Sequence, residues 1–329
     1  MRDPLVSVVI PTYNRAGLIS ETIDNVLGQS YPNLELIVVD DGSTDQTQSV
    51  LRRYGNRLRI VTQDNAGASA ARNRGAAMAR GEILAFQDSD DLWKTTKLER
   101  QVALLREFGP SVPCCLCNTT MRLADGKEFT SFDVSLIHPK QGDGLWINAP
   151  EVLANRFVLF NQAAAIRRDT FEKLGGFDEK LKYLEDYDLS LRLSLEGPWA
   201  LIQEPLVINR VGVSHGLSQQ ASNNPIVIKE YELTIFKRML ALVDEGGQRA
   251  NLRPHLERRL RVFRRGVEEF NKGQNSSWSS RLNGRLMSTI GHYRDAIFRR
   301  SPWFPKAITL AANPPSRLPA DSKYKAMAH

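Results

Sequence analysis

Ile83-Leu84-Ala85-Phe86-Gln87-Asp88-Ser89-Asp90-Asp91 is the stretch that decides how this chain folds. A short apolar run passes straight into an acidic cluster, the pattern of a buried strand ending where carboxylates gather at a sheet edge. In open α/β sheets ligands bind beyond the carboxyl ends of the strands, so the cluster lies where a site belongs. Asp88 and Asp90 are two apart and can point the same way. Massed like charges repel unless a cation sits among them, and Mg²⁺ takes one or two carboxylates together with phosphate oxygens. A second reading stays open on these residues alone: Asp90 or Asp91 caps a following helix, and the rest is solvated loop.

Outward from this strand the chain alternates. Val6–Ile10, Leu34–Val39 and Leu58–Val61 read as earlier buried strands. Helices at Ile19–Leu27, up to Leu51 and at Ser69–Ala79 separate them, the last stopped by Gly81. This βαβαβαβ order predicts a mostly parallel, Rossmann-like sheet flanked by helices, with the loops after the strands opening on one side. Further helices are expected at Thr95–Phe108, after Asp169 and from Leu184. Strands are expected at Val112–Met121, Phe157–Arg168, Trp199–Gln203 and Leu206–Ile208.

The 329 residues are enough for one large domain with an appendage. No apolar run reaches the ~20 residues of a membrane span, and the N-terminus lacks a signal-peptide layout, so a cytoplasmic protein is expected. Cys114, Cys115 and Cys117 are neighbours in one predicted strand and read as small buried residues rather than metal ligands. Residues 225–329 carry 20 Lys and Arg against 9 Asp and Glu, a net of +11 within a total of +7. Residues 1–224 are therefore acidic overall, at −4. The polar run at 219–226 marks the expected boundary between a catalytic domain, 1–224, and a basic helical region, 225–312. The Pro-rich tail, 313–329, is expected to be disordered.

The strand-end motifs come in a familiar order. Val8-Val9-Ile10-Pro11-Thr12-Tyr13-Asn14-Arg15 is followed by Val38-Val39-Asp40-Asp41-Gly42-Ser43-Thr44-Asp45. Next come Asn65-Ala66-Gly67 with Ala70-Ala71-Arg72-Asn73, then Asp88-Ser89-Asp90-Asp91 and Glu185-Asp186. Over residues 5–220 this resembles the family 2 glycosyltransferases, which have the GT-A fold and invert the sugar's configuration. The resemblance implies a nucleotide-diphospho-sugar donor, with Pro11, Thr12, Tyr13 and Asn14 lining the nucleoside pocket and Asp40 accepting from the base. Gly67 would let the ligand approach the backbone, and Arg72 would meet phosphate or ribose oxygens. Asp88 and Asp90 match the family's Asp-x-Asp motif, implying a Mg²⁺ or Mn²⁺ cofactor on the diphosphate, with Asp88 and Ser89 also against the sugar nucleotide. Asp186 matches the catalytic base and Asp188 is the reserve. His215 is a candidate ligand to the metal or diphosphate.

The implied acceptor is a hydroxyl of a glycan or lipid-linked molecule. Arg258, Arg259, Arg261, Arg264 and Arg265, set among Leu256, Leu260, Val262, Phe263 and Val267, suggest peripheral contact with an anionic membrane. Oligomeric state leaves no mark in the sequence. A nucleotidyltransferase would carry a Gly-rich, Lys-containing phosphate loop near the N-terminus, and none is present. Nucleic-acid binding has no motif here, and the sheet-bearing half is acidic.

Overall fold

The structure, a computed structural model, describes residues 3–135, 137, 142–211, 225–246, 250–271 and 310–311. Its spine is a run of parallel strands: β1 (Val6–Thr12), β2 (Leu34–Asp40), β3 (Arg59–Thr62) and β4 (Ile83–Phe86), in the order β3-β2-β1-β4. Every residue of β1 and β4 is buried. Helices cover both faces of such a strand, so its apolar run is continuous rather than alternating. The connecting helices are α1 (Ile19–Leu27), α2 (Thr47–Arg52) and α3 (Ala68–Ala77). α3 lies flat on the sheet because of Gly75, where a Cβ would come within 2.3 Å of Val9 Cγ1. The pairings Thr12 with Asp40 and Asp40 with Thr62 bring three strand ends level, so the loops that follow them open on one edge.

Beyond β4 the sheet becomes mixed. β5 (Leu92–Trp93), α4 (Lys97–Phe108), β6 (Cys114–Arg122), β7 (Glu128–Thr130), α5 (Ser131–Ser135), β8 (Gly144–Trp146) and α6 (Ala149–Leu153) come first. β9 (Ala164–Arg167), α7 (Arg168–Lys173), α8 (Glu185–Ser194) and β10 (Trp199–Arg210) follow. β9 runs antiparallel between β4 and β6, and β10 is parallel to β6 but antiparallel to β8 and β5. The long strand expected over Phe157–Arg168 is confined to β9. The Phe160 carbonyl accepts from the amides of both Ala163 and Ala164, and the chain turns there. The two closing strands are one element, β10, whose register against β6 shifts on either side of Pro205. Proline has no N–H to give the ladder. Because β9 is antiparallel, its amino end reaches the edge where β1, β2 and β4 end. The three cysteines are buried free thiols in β6.

α9 (Pro225–Gly246) packs on α8, and α10 (Arg253–Asn271) packs on α9. The ring of Phe236 lies 6.0 Å from Tyr187 and 5.3 Å from Phe263. Ile235, Met239, Leu256 and Leu260 join the same buried core as the sheet. The apolar face of α10 is thus spent inside the molecule, while Arg261, Arg264 and Arg265 face outward around Val262. β11 (Leu310–Ala311) pairs with β8. Among the described residues no helix is long and apolar enough to cross a membrane. The expected boundary at 219–226 falls mostly outside the described residues, as does the 313–329 tail.

Candidate active site

The loops after β1 and β2 are tied together by Asn14. Its Oδ1 accepts from the Thr44 amide at 2.8 Å, and its own amide donates to Ser43 Oγ at 2.9 Å. Asn14 adopts φ +51°, a left-handed conformation that asparagine tolerates better than most residues. Pro11 and Thr12 are buried below, and Tyr13 stands 44% exposed above them, so its ring is free to stack on a planar ligand. Asp40 is fully buried; one carboxylate oxygen takes the Ser43 amide at 3.0 Å. Its other oxygen, and the Thr12 hydroxyl beside it, have no partner among the described residues. A buried carboxylate with a spare oxygen at a strand end is fitted to receive a ligand N–H.

Asp41 has a role that its place in the acidic turn did not reveal. Its carboxylate accepts from Gln63 Nε2 and from the amides of Ala66 and Gly67, at 2.8, 2.9 and 2.9 Å. It thereby shapes the loop that delivers Gly67, at φ +95°, to the start of α3.

Arg72, one turn into α3, is buried and reaches two acids from separate parts of the chain. Nη2 meets Asp88 Oδ1 at 2.8 Å, and Nη1 meets Glu185 Oε1 at 3.0 Å. The guanidinium also lies 5.5 Å from the centre of the Phe177 ring, itself packed on Phe86 at the end of β4. Burial pulls its pKa down, but the charges of Asp88 and Glu185 outweigh that and hold it above the ordinary value. Ser89 is buried, its carbonyl taken by Thr22 Oγ1 of α1 at 3.1 Å. Asp90 lies 3.8 Å from Arg15 and keeps a partly exposed side chain. Asp91 is buried and accepts from Asn209 Nδ2 and the Arg210 amide, both at 2.7 Å, anchoring the end of β10. Burial, then the charges of Asp88 and Asp90, push its carboxyl up to about 7.

Asp186 sits in the first turn of α8, two residues after Leu184, whose φ of +63° is unusual for a bulky residue. Such conformations cost about 1–3 kcal/mol and cluster at functional sites. Asp186 Oδ1 takes the Tyr187 amide at 2.8 Å. Burial first, then the neighbouring Glu185 charge, raise its pKa well above the usual carboxylate range, with Arg72 opposing. Asp188, the reserve, is fully buried between Arg192 (2.7 Å) and Arg238 (2.8 Å). It is a structural anchor, closed to substrate. His215 lies outside the described residues.

Asn161 and Gln162, at the amino end of β9, were missed. Their signal was two amides interrupting the apolar run Phe157–Ile166. Both are buried, and Asn161 Nδ2 lies 3.5 Å from Glu185 Oε1.

The side chains of Asp88 and Asp90 fit a hard divalent ion. Among the described residues no group of three or more His, Cys, Asp or Glu side chains is placed to hold a metal. Asp88 and Asp90 each keep a partly exposed carboxylate, the ligand type Mg²⁺ takes when substrate phosphates complete its shell.

The family model "Glycosyl transferase family 2" matches residues 7–146. An uncharacterized glycosyltransferase of Rickettsia typhi is 32% identical over 209 residues, 64% of each chain. One from Rickettsia prowazekii is 30% identical over 231 residues, 70% of each. The chain thus spans just under two thirds of the first relative and just over two thirds of the second. Among solved structures, S. aureus TarS 1–349 in complex with UDP aligns with a TM-score of 0.59 at 22% identity, covering 90% of this chain and 82% of that one. The mannosyltransferase PcManGT from Pyrobaculum calidifontis, in complex with GDP-Man and Mn²⁺, aligns at 0.54 and 23% identity, covering 92% and 88%. These structures share the GT-A fold with it. A relative 30% identical over 70% of both chains, joined to strand-end loops gathered on one sheet edge, establishes that the chain belongs to glycosyl transferase family 2.

Proposed function

We propose that the chain transfers a sugar, with inversion, from a nucleotide-diphospho-sugar to a hydroxyl of a glycan or lipid-linked acceptor. The observation that carries this is the Arg72 bridge, which sets the Asp88 carboxylate and the Glu185-Asp186 pair on opposite sides of one guanidinium. A leaving diphosphate at Asp88 and a proton acceptor at Asp186 are what a single displacement needs. Tyr13 and Asp40 hold the nucleoside, the ring by stacking and the spare carboxylate oxygen by accepting a base N–H. Gly67 and the start of α3 border the ribose and diphosphate.

In the transfer, Asp186 takes the proton of the acceptor hydroxyl as that oxygen bonds to the anomeric carbon. The bond from that carbon to the diphosphate oxygen breaks, and its electron pair stays with the diphosphate. Asp88 and Asp90 would hold Mg²⁺ or Mn²⁺, which when bound supplies Lewis-acid neutralisation of the departing charge. Binding of UDP by TarS and of GDP-Man with Mn²⁺ by PcManGT supports a nucleotide-sugar donor and a metal. We keep residues 1–224 as the catalytic domain, completed by the packing of α9 and α10. The outward Arg261, Arg264 and Arg265 support weak contact with an anionic bilayer, where a lipid-linked acceptor would be met.

The test is a panel of uridine and guanosine diphospho-sugars, with Mg²⁺ or Mn²⁺ and with excess EDTA. Metal-dependent release of the nucleoside diphosphate, with an inverted anomeric proton signal in the product, is expected. No turnover or binding of any sugar nucleotide would remove the reading.

A further inference from the structure

Asn161 and Gln162 are 7% and 1% exposed; Asn161 Oδ1 has no partner among the described residues, and Gln162 turns its amide to the Asp91 carboxylate in the acidic turn after β4. Buried amides are ordinarily paired, and a group left unpaired at a site edge points to a partner that arrives from outside. The surroundings name that partner. The acidic turn also carries Asp88 and Asp90, whose charges act on the buried Asp91. On the other side of the two amides stands Glu185, 3.5 Å from Asn161 Nδ2. The two amides therefore lie between the carboxylate assigned to the diphosphate and the pair that includes the base. Only the transferred sugar occupies that interval, because its anomeric carbon lies between the leaving oxygen and the attacking one.

We propose that Asn161 and Gln162 bind the hydroxyl or acetamido groups of the transferred sugar and so determine which sugar is accepted. Each amide offers both a donor and an acceptor, the pattern that matches a polyhydroxylated ring. A phosphate would call for cations, and a nucleobase for a ring to stack on. A site whose buried polar groups need a substrate hydroxyl discriminates strongly against a sugar that presents it elsewhere. Glu185 would share this task, its Oε1 already held by Arg72. The inference rests on the glycosyl-transfer reading and specifies its donor-sugar pocket.

The experiment uses the full chain with Mn²⁺ and compares wild type with Asn161→Leu and Gln162→Met, near-isosteric changes that leave no amide. Calorimetry would give Kd for UDP, UDP-glucose, UDP-galactose, UDP-N-acetylglucosamine, GDP and GDP-mannose, and melting curves would give Tm. The expected result is wild-type discrimination among sugars on one base, reduced about tenfold or more in each variant. Affinity for the bare nucleotide should stay within about twofold, and the melting curves should show each variant folded at the assay temperature. Should an apolar variant fail to fold, Gln162→Asn, with the amide drawn back, carries the same comparison. Unchanged discrimination in folded variants, as ordered water on the amides would give, overturns the inference alone. Equal loss of bare-nucleotide affinity also overturns it, by making the pair a loop brace. A wild type that binds no nucleotide overturns the transfer reading as well.

Discussion

Arg72 Nη2 bonds Asp88 Oδ1 at 2.8 Å, joining the start of α3 to the end of β4. The other terminal nitrogen of the same guanidinium holds Glu185, more than a hundred residues on in the chain, so one buried cation fixes the spacing of the two acidic motifs. Replacing it with methionine would strand Glu185, which is nearly as buried, and leave Asp88 to be screened by water. Breaking a buried pair costs roughly 3–5 kcal/mol, and the partial exposure of Asp88 places Arg72→Met toward the lower end of that range. Urea unfolding of the variant checks this. Arg72→Lys should recover part of the stability but little turnover, because an ammonium cannot span both acids.

Asp186→Asn should lower turnover by roughly 10²–10⁴, the usual worth of a general base, with donor affinity nearly unchanged. Its pH behaviour follows from the direction of its shift. The folded pKa is raised above the unfolded value of about 3.9, so between the two the folded state holds a proton that the unfolded chain has lost. Stability therefore falls as pH rises across that window, while activity rises as the base ionises. The asparagine variant should melt above wild type at pH 8, with the gap closing toward pH 4. An equal gap at both pH values would argue against a titrating Asp186.

Asp90→Asn should abolish metal-dependent transfer and leave the melting temperature close to wild type. Its side chain is partly exposed, and its backbone carbonyl still accepts from Arg210 Nε at 2.5 Å. Chelation of the wild type should have the same effect, reversed by added Mn²⁺. Full activity in excess EDTA would remove the metal from the mechanism.

Arg238→Met should destabilise the protein by about 1.5–3 kcal/mol, the worth of a charged hydrogen bond, since the fully buried Asp188 keeps Arg192. Circular dichroism melting measures this directly. Nucleotide affinity measured below the melting temperature should be nearly unaffected, because Asp40 and Tyr13 lie on the far half of the sheet.

Flotation with anionic vesicles should show binding at low salt that is lost at high salt, at about 1 kcal/mol for each basic residue near the lipid. Neutral vesicles should not bind. Arg261→Glu with Arg264→Glu should abolish flotation and spare transfer to a water-soluble acceptor. No binding at low salt would leave these arginines as a solvated face.

The parallel half of the fold was legible because its information is local. Each buried strand is one apolar run, each ends in its own polar loop, and Gly67 and Gly81 punctuate α3. The other half depends on pairings between distant segments. Phe157–Arg168 reads as one strand, and nothing within it announces the turn at Phe160 or the antiparallel insertion that brings Asn161 to Glu185. Asp186 and Asp188 look alike in sequence. Only the arrival of Arg238 from α9 separates the enclosed anchor from the acid at the cleft. Arg72 reads in the sequence as a candidate cation for phosphate or ribose oxygens, but not as the link between the two acidic motifs, which takes the third dimension to see.

The Arg238–Asp188 pair also bears on how the enzyme is made. Domains form from the amino end as the chain is synthesised. The strands that carry Tyr13, Asp40 and Asp88 leave the ribosome first and can assemble into the parallel sheet. The helix bearing Asp186 emerges with Asp188 still lacking its second cation, and that charge is matched only once translation has passed residue 238. A chain cut before residue 238 would therefore hold every strand of the parallel run and all of α8, yet lack the second cation that clamps Asp188.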